Sequence, residues 1–176
     1  MAEAVLRAHV ERAGLSPQRV RVTSAGVSSE EQGNPVDSRA ARALREAGYT
    51  YGQAARMVAE HSAHRITDSE LAQADVLLAM TSAHARELQR RMDALGLTQE
   101  GQERIRLYRE YDNLDGATHL DPAASAGATR TRVTGTLDVP DPWYGDYADF
   151  LATLAVVENV SATLTALLKK DSDPMA

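Results

Sequence analysis

The run DVLLAM at residues 75–80 decides the fold class of this chain. Five consecutive apolar residues follow Asp75 and precede Thr81, so the segment offers no polar side to solvent. A strand that is apolar on both sides is typical of a parallel sheet covered by helices on both faces. Residues 75–80 are therefore predicted to form a buried strand.

Helical and extended patterns alternate around this run. Apolar periodicity and capping residues predict five helices. The first covers residues 1–13, the second runs from Asp37 or Ser38 to Gly48, and the third is short and begins at a Thr-Asp-Ser-Glu capping box at 67–70. The fourth runs from Thr81 or Ser82 to about Leu95, and the fifth from about 150 to Lys170. Alternation of apolar and polar residues predicts two further strands, at 19–26 and 104–111. This order predicts a three-layer α/β fold, a parallel sheet with helices on both faces, in which ligands bind at the carboxyl ends of the strands.

Two of these helices are predicted to bury one apolar face each. The helix after Thr81 is expected to bury Leu88, Met92 and Leu95. The last helix is expected to bury Phe150, Leu151, Leu154, Val157, Val160, Leu164, Leu167 and Leu168.

The composition restricts the class of protein. The net charge of −6 argues against a nucleic-acid partner, which requires a basic surface. The chain has no cysteine, which excludes disulfides, thiolate zinc sites, iron–sulfur clusters and a cysteine nucleophile within these residues. No segment has the pattern of a signal-peptide core or a membrane span, so a cytoplasmic location without a membrane partner is expected.

One stretch departs from the regular patterns. Residues 112–137 are rich in Gly, Ala and Thr and show no clear period. We expect a flexible insertion at 112–137 within a single domain that covers residues 1–176.

An acidic and aromatic segment, DVPDPWYGDY at residues 138–147, is the strongest candidate for chemistry. Four of the eight aromatic residues of the chain lie at positions 143, 144, 147 and 150. A Pro-Asp-Pro turn could present the Asp141 carboxylate beside an aromatic wall. The structural alternative is an ordinary turn whose aromatic rings pack on the core, and the residues alone favour it because Asp and Pro dominate turns.

The remaining polar candidates give weaker signals. His61 and His64 are three positions apart, but no third ligand lies at matching spacing, so no metal is predicted. Ser24 lies near the end of the predicted strand at 19–26, and without a G-x-S-x-G motif it is interpreted as a hydrogen-bonding support rather than a nucleophile. Neither Gly-rich phosphate-loop motif occurs.

Taken in order, the segments resemble the low-molecular-weight protein-tyrosine phosphatase family, in its bacterial form. The resemblance is carried by MAEAVLR, V-x-V-x-SAG, DSRAARALREAGY, H-x-A-x-R-I-T-x-x-E-L-x-x-A-D-V-L-L-A-M and DVPDPWYG, at residues 1–7, 20–26, 37–49, 61–80 and 138–145. The resemblance implies a phosphotyrosine protein or aryl phosphate as substrate and no cofactor. It leaves the oligomeric state open.

The resemblance also implies roles for individual residues. Asp141 is similar to the general acid of the family, and Trp143 and Tyr144 are similar to the aromatic wall that holds the phenyl ring. Ser24 and His61 are similar to groups that support the phosphate loop. Two positions depart from the family pattern, since Thr81 stands where many members have Asp and His64 stands where many have Arg.

The family also uses a first strand and a Cys-x-x-x-x-x-Arg-Ser-Pro loop, and this sequence contains no match to either. We therefore expect the chain as given to be inactive, and the natural product to be longer, with Met1 an internal methionine. The alternative is a genuine non-catalytic relative that acts by binding or regulation. An arsenate reductase of similar fold fits less well because that chemistry needs cysteines.

Overall fold

The computed structural model describes residues 1–97, 103–112 and 137–172. The elements in these residues are α1 (Ala2–Arg12), α2 (Ser38–Glu46), α3 (Gly52–Glu60), α4 (Asp68–Gln73), β1 (Leu77–Ala79), α5 (Ser82–Ala94), β2 (Ile105–Leu107), a 3-10 helix (Tyr108–Tyr111) and α6 (Tyr147–Ser172). Apart from Asp112 and Leu137, the predicted insertion at 112–137 lies outside the described residues.

The strand predicted from the DVLLAM run is present and parallel to its neighbour. Within it, Leu77 pairs with Ile105 and Ala79 pairs with Leu107. Side chains of successive strand residues point to opposite faces of a sheet. Leu77 and Ala79 accordingly belong to one core cluster and Leu78 packs against the other.

Helices therefore cover both faces of the sheet, as predicted. The first cluster is built from α1, α2, α3 and α6, with Val5, Leu44, Met57, Leu154 and Val160 among its buried side chains. The second is built around α4, β1 and α5, with Leu71, Leu88 and Met92 at its centre. The predicted α/β fold is confirmed.

Two predicted helix starts are also confirmed, and both use their own side chains. The Asp37 carboxylate accepts the Arg39 N–H at 2.7 Å and caps α2. At α4, Thr67 Oγ1 accepts the Glu70 N–H at 3.2 Å, while the Glu70 carboxylate accepts the Thr67 N–H at 2.8 Å. These contacts satisfy backbone donors that the first helical turn leaves free.

Helix α3 was not predicted, because its start is capped by another helix. The Gln53 N–H in its first turn donates to the Glu11 carboxylate of α1 at 3.0 Å. Gly52 has a φ of +64°, and a side chain there would collide with that carboxylate. The start of α3 thus depends on a tertiary contact, which leaves no local capping motif in the sequence.

The strand predicted at 19–26 is wrong. Its only regular pairing in the described residues is a single bridge between Gly26 and Arg65. The preceding residues are held by side chains of α1 instead, since Arg7 Nε donates to the Val22 carbonyl at 3.0 Å and Ser24 donates to the Glu3 carboxylate. Alternation indicates which side chains share a face, but a strand also needs a neighbouring backbone to pair with.

The strand predicted at 104–111 is shorter than expected. It ends at Leu107, and the chain continues as a 3-10 helix that buries Tyr108. The Leu107 N–H donates to the Glu110 carboxylate at 3.1 Å, which satisfies the start of this turn locally.

Helix α6 packs along one face. Phe150, Leu154, Val157 and Val160 are buried as predicted. Leu151 and Leu167 are 43% exposed, and Leu95 after α5 is 42% exposed, so these three assignments to the core were wrong. Leu151 follows the buried Phe150 by one residue and is rotated by about 100° around the helix, which carries it to the outer face.

The stretch Tyr147–Asp171 also contains an 18-residue window that meets the length and composition of a membrane span, with a mean hydropathy of 1.6. The expectation that no segment would do so was therefore wrong. In this fold, α6 packs against α1 and α2 and supplies side chains to the first core cluster. A core helix passes the same test because burial selects the same apolar residues.

Candidate active site

The loop at residues 137–146, called the acid loop below, lies beside the carboxyl end of β1. The Val139 N–H donates to the Met80 carbonyl at 2.8 Å. The Asp138 carboxylate accepts the Ser82 N–H at 2.6 Å, at the first turn of α5. The acid loop is thus fixed at the edge of the sheet where α/β proteins bind ligands.

Asp141 forms the turn expected of an Asp between prolines. Its Oδ1 accepts the Trp143 N–H at 3.0 Å, and the Gly145 N–H donates to the Pro142 carbonyl at 2.9 Å. The Asp141 residue is exposed. Its carboxylate is therefore held in place by the turn and remains open to a ligand.

The four clustered aromatic residues divide into two groups. Phe150 is 3% exposed and packs in the core, whereas Trp143 is 45% exposed and Tyr144 is 96% exposed. The structural alternative from the sequence therefore holds for Phe150 but not for Trp143 and Tyr144. Two large aromatic side chains are therefore exposed on the same turn as Asp141, and the centroid of the Trp143 ring lies 6.0 Å from the guanidinium carbon of Arg39.

Arg39, in the first turn of α2, forms hydrogen bonds with the acid loop. It donates to the Trp143 carbonyl and to the Gly145 carbonyl, each at 3.1 Å. It also pairs with Asp37 at 2.9 Å, and the hydrogen bond from Arg39 lowers the pKa of the Asp37 carboxyl. Sequence reasoning missed Arg39, and the only sign of its role in the local sequence is a cationic residue two positions after the capping residue Asp37.

Ser24 and His61 both lie near Glu3, in the first turn of α1. Ser24 donates to the Glu3 carboxylate, and Glu3 pairs with Arg7 at 2.6 Å. Burial lowers the pKa of His61, and the charge of Glu3 opposes that shift. Glu3 is 9% exposed and is a second residue that the sequence interpretation missed.

The sequence-predicted residues thus form two groups. Asp141, Trp143 and Tyr144 share the acid loop, and Ser24 and His61 share Glu3. Among the hydrogen bonds of the described residues, those of the acid loop run to Met80 directly after β1 and to α5, α2 and α6 rather than to Glu3.

The two positions that depart from the family pattern have local partners. Thr81 Oγ1 accepts the His84 N–H at 3.1 Å and caps α5. His64 Nε2 lies 2.9 Å from the Glu70 carboxylate. The hydrogen bond from the Thr67 N–H is the main cause that lowers the pKa of Glu70 to about 2, and His64 adds to it. Within residues 1–97, 103–112 and 137–172, no group of three or more His, Asp or Glu side chains could hold a metal ion.

Comparison with known proteins identifies the family. Residues 1–173 match the family described as low molecular weight phosphotyrosine protein phosphatase. A low molecular weight protein-tyrosine-phosphatase of Streptomyces coelicolor is 32% identical over 176 residues, which are 100% of this chain and 89% of that protein. The low molecular weight protein-tyrosine phosphatase A of Mycobacterium tuberculosis is 35% identical over 160 residues, which are 90% of this chain and 77% of that protein.

A solved structure shows the same fold. The protein tyrosine phosphatase of Entamoeba histolytica, with Hepes in its active site, superposes with a TM-score of 0.72 at 20% identity, over 97% of this chain and 88% of that chain. The chain therefore belongs to the low molecular weight phosphotyrosine protein phosphatase family. The resemblance stated from the sequence is confirmed.

Proposed function

We propose that this chain carries the leaving-group side of a protein-tyrosine phosphatase site and that the 176-residue polypeptide alone does not hydrolyse phosphotyrosine. The observation that carries the proposal is the pair of exposed rings, Trp143 and Tyr144, on the same turn as the Asp141 carboxylate. The rings offer a surface for a phenyl group, and the carboxyl is placed to protonate the departing phenolate oxygen.

Hydrolysis through a covalent intermediate also needs a nucleophile. The phosphoryl group must pass from the phenolate oxygen to a nucleophilic atom and then to water. The family uses a cysteine thiolate for this step, and none of the 176 residues is cysteine. Ser24 is interpreted as a supporting group, whose hydroxyl donates to the Glu3 carboxylate at the start of α1.

The charge of the phosphate also requires donors. Transferring phosphoryl groups are stabilised by Arg side chains and by backbone N–H groups directed at the phosphate oxygens. Near the acid loop, the nearest guanidinium is that of Arg39, which is already engaged with Asp37 and two carbonyls. We infer that hydrolysis requires a Cys-x-x-x-x-x-Arg loop in addition to these residues, which would supply both the nucleophile and the phosphate contacts.

The test compares two polypeptides. The 176-residue chain is expected to show no turnover of phosphotyrosine above buffer. A version extended at its N-terminus by a family strand and a Cys-x-x-x-x-x-Arg-Ser-Pro loop is expected to hydrolyse it. The matched control is the same extension with its cysteine replaced by serine, which should be inactive. Turnover by the unextended chain, or no gain on extension, would refute the proposal.

The absence of cysteine also supports a second candidate, the binding of a phosphotyrosine protein without hydrolysis. Trp143 is the only tryptophan of the chain, so its fluorescence reports directly on occupancy of the acid loop. Titration of the unextended chain with a phosphotyrosine peptide should then change the Trp143 emission in a saturable way. No saturable change would eliminate this candidate. A cytoplasmic location and a single-domain organisation stay predictions.

A further inference from the structure

The acid loop has few internal contacts that fix its shape. Asp141 is bonded to the Trp143 N–H, and Gly145 is bonded to Pro142. Beyond Pro142, the Trp143 and Gly145 carbonyls both accept hydrogen bonds from Arg39, which lies 104 to 106 positions earlier in the sequence. The end of the loop is also tied to α6, since the Asp146 N–H donates to the Asp149 carboxylate at 2.9 Å, so the exposed turn between these two attachments is held from outside the loop by Arg39.

The position of the Arg39 guanidinium is itself determined on two further sides. Nε and Nη2 donate to the two oxygens of Asp37, at 3.2 and 2.9 Å. The ring of the buried Phe150 lies 4.4 Å from the guanidinium carbon. Bidentate pairing with a carboxylate and contact with an aromatic ring orient the planar group, so its remaining donors point at the loop carbonyls.

Only arginine has the donor geometry for this arrangement. Its guanidinium presents five N–H groups in a rigid plane, whereas a lysine ammonium has three donors at a single point. A lysine at position 39 could pair with Asp37 but could not also reach both carbonyls in one plane. Replacing Arg39 with Lys therefore tests the donor geometry by itself, because the positive charge is kept while the planar set of donors is lost.

We propose that Arg39 is a positioning residue that locks the acid loop onto α2 and thereby fixes the Asp141 carboxylate and the Trp143 ring relative to each other. The catalytic consequence rests on the function proposed above, in which Asp141 donates the proton. The inference that Arg39 fixes the position of the acid loop depends only on the contacts, since the two carbonyls and the turn of Asp141 belong to the same few residues. It can be tested without any activity.

The first experiment uses Trp143 in the 176-residue chain. In Arg39→Met, acrylamide quenching of Trp143 should rise by up to about twofold, because Trp143 is 45% exposed while the loop is held and becomes exposed when the loop opens locally. The guanidinium carbon of Arg39 lies 6.0 Å from the centroid of the Trp143 ring, and methionine is chosen because its side chain of similar length keeps that cover while it removes the hydrogen bonds to the loop. Arg39→Lys should show most of this rise, since it keeps the charge and loses the geometry. Far-UV circular dichroism of each variant verifies that the helices are retained.

The matched control is Arg42→Met, one turn further along α2. Arg42 also contacts an aromatic ring, that of Tyr147 at 4.3 Å, but its hydrogen bond runs to Glu46 at 2.8 Å and not to the acid loop. Quenching of Trp143 should be unchanged in this variant. Unchanged quenching in Arg39→Met, or the same rise in Arg42→Met, would overturn the proposal.

A second measurement separates this proposal from the proposed function. In the N-terminally extended protein, Arg39→Met should lower kcat on phosphotyrosine more than on an aryl phosphate with a strongly acidic leaving group. If quenching rises and kcat falls equally on both substrates, Arg39 does fix the position of the acid loop, but Asp141 is not the proton donor. A selective loss of kcat without any change in quenching would refute the hold of Arg39 on the loop.

Discussion

At the scale of single residues, Asp141 combines exposure with a fixed orientation. Its turn places the carboxylate beside Trp143 and Tyr144, and the turn is reinforced by Arg39. A phenolate has a conjugate acid with a pKa of about 10, so its departure near neutral pH benefits from a proton donor. An aryl phosphate with a strongly acidic leaving group needs little such help.

We predict that Asp141→Asn in the N-terminally extended protein lowers kcat on phosphotyrosine by about 10²–10⁴-fold, the usual contribution of general acid catalysis. The loss should be much smaller on the aryl phosphate with the acidic leaving group. Steady-state kinetics on both substrates measures the difference. Binding of substrate should survive because both exposed rings remain.

The matched control for this prediction is Asp146→Asn in the same loop. Asp146 accepts the Ala148 N–H at 2.7 Å, and asparagine fulfils the same capping role. Its kcat should therefore match that of the parent on both substrates. If Asp146→Asn reproduced the effect of Asp141→Asn, the proton donor would have been assigned to the wrong carboxylate.

At the scale of elements, helix α6 provides a comparison within one helix. Leu154 is 4% exposed in the first core cluster, and Leu151 is 43% exposed less than one turn away. We predict that Leu154→Ala lowers the free energy of unfolding by about 2–5 kcal/mol, as buried leucine truncations do. Leu151→Ala should change it by no more than about 0.5 kcal/mol. Urea unfolding followed by circular dichroism measures both, and equal losses would mean that α6 buries a different face.

The elements also show where sequence interpretation succeeds. The caps of α2 and α4 were predictable because Asp37, Thr67 and Glu70 act within three residues of the backbone groups they satisfy. The start of helix α3 was not predictable, because its cap is the Glu11 carboxylate, 42 positions away. The error at 19–26 has the same origin, since a strand is defined by a neighbour that its own side-chain pattern does not contain.

In the candidate site, too, local features could be predicted from the sequence and contacts between distant residues could not. The exposed Asp141 turn could be predicted from Pro-Asp-Pro, and the resemblance indicated the role of the adjacent rings. The partners that hold the site, Arg39 on the acid loop and Glu3 on Ser24, could not, because each acts across more than 20 positions of sequence. Their roles depend on how the helices pack.

At the scale of the whole molecule, two buried tyrosines make stability depend on pH. Burial raises the pKa of both Tyr49 and Tyr108 to about 12, and for Tyr49 the hydrogen bond donated to Glu158 at 2.9 Å adds to the shift. In the unfolded chain a tyrosine releases its proton near pH 10. Between these values the unfolded state binds fewer protons than the folded state, so stability falls as pH rises.

We predict that the free energy of unfolding decreases above about pH 10, by up to about 1.4 kcal/mol per pH unit for each of the two tyrosines. Urea midpoints measured at increasing pH determine this slope. Tyr108→Phe should reduce it, and Tyr51→Phe should not, because Tyr51 is 65% exposed. A constant midpoint across this range would contradict the prediction.

The hold of Arg39 on the acid loop has a consequence for the order of folding. The contact joins residues 106 positions apart, and the Asp138 contact to α5 joins residues 56 apart. Closing such long loops costs entropy before the contact returns any stability, so distant contacts of a surface loop tend to form after the transition state. Arg39→Met should accordingly accelerate unfolding and leave the refolding rate nearly unchanged, which stopped-flow chevron analysis would show as a shift of the unfolding limb alone.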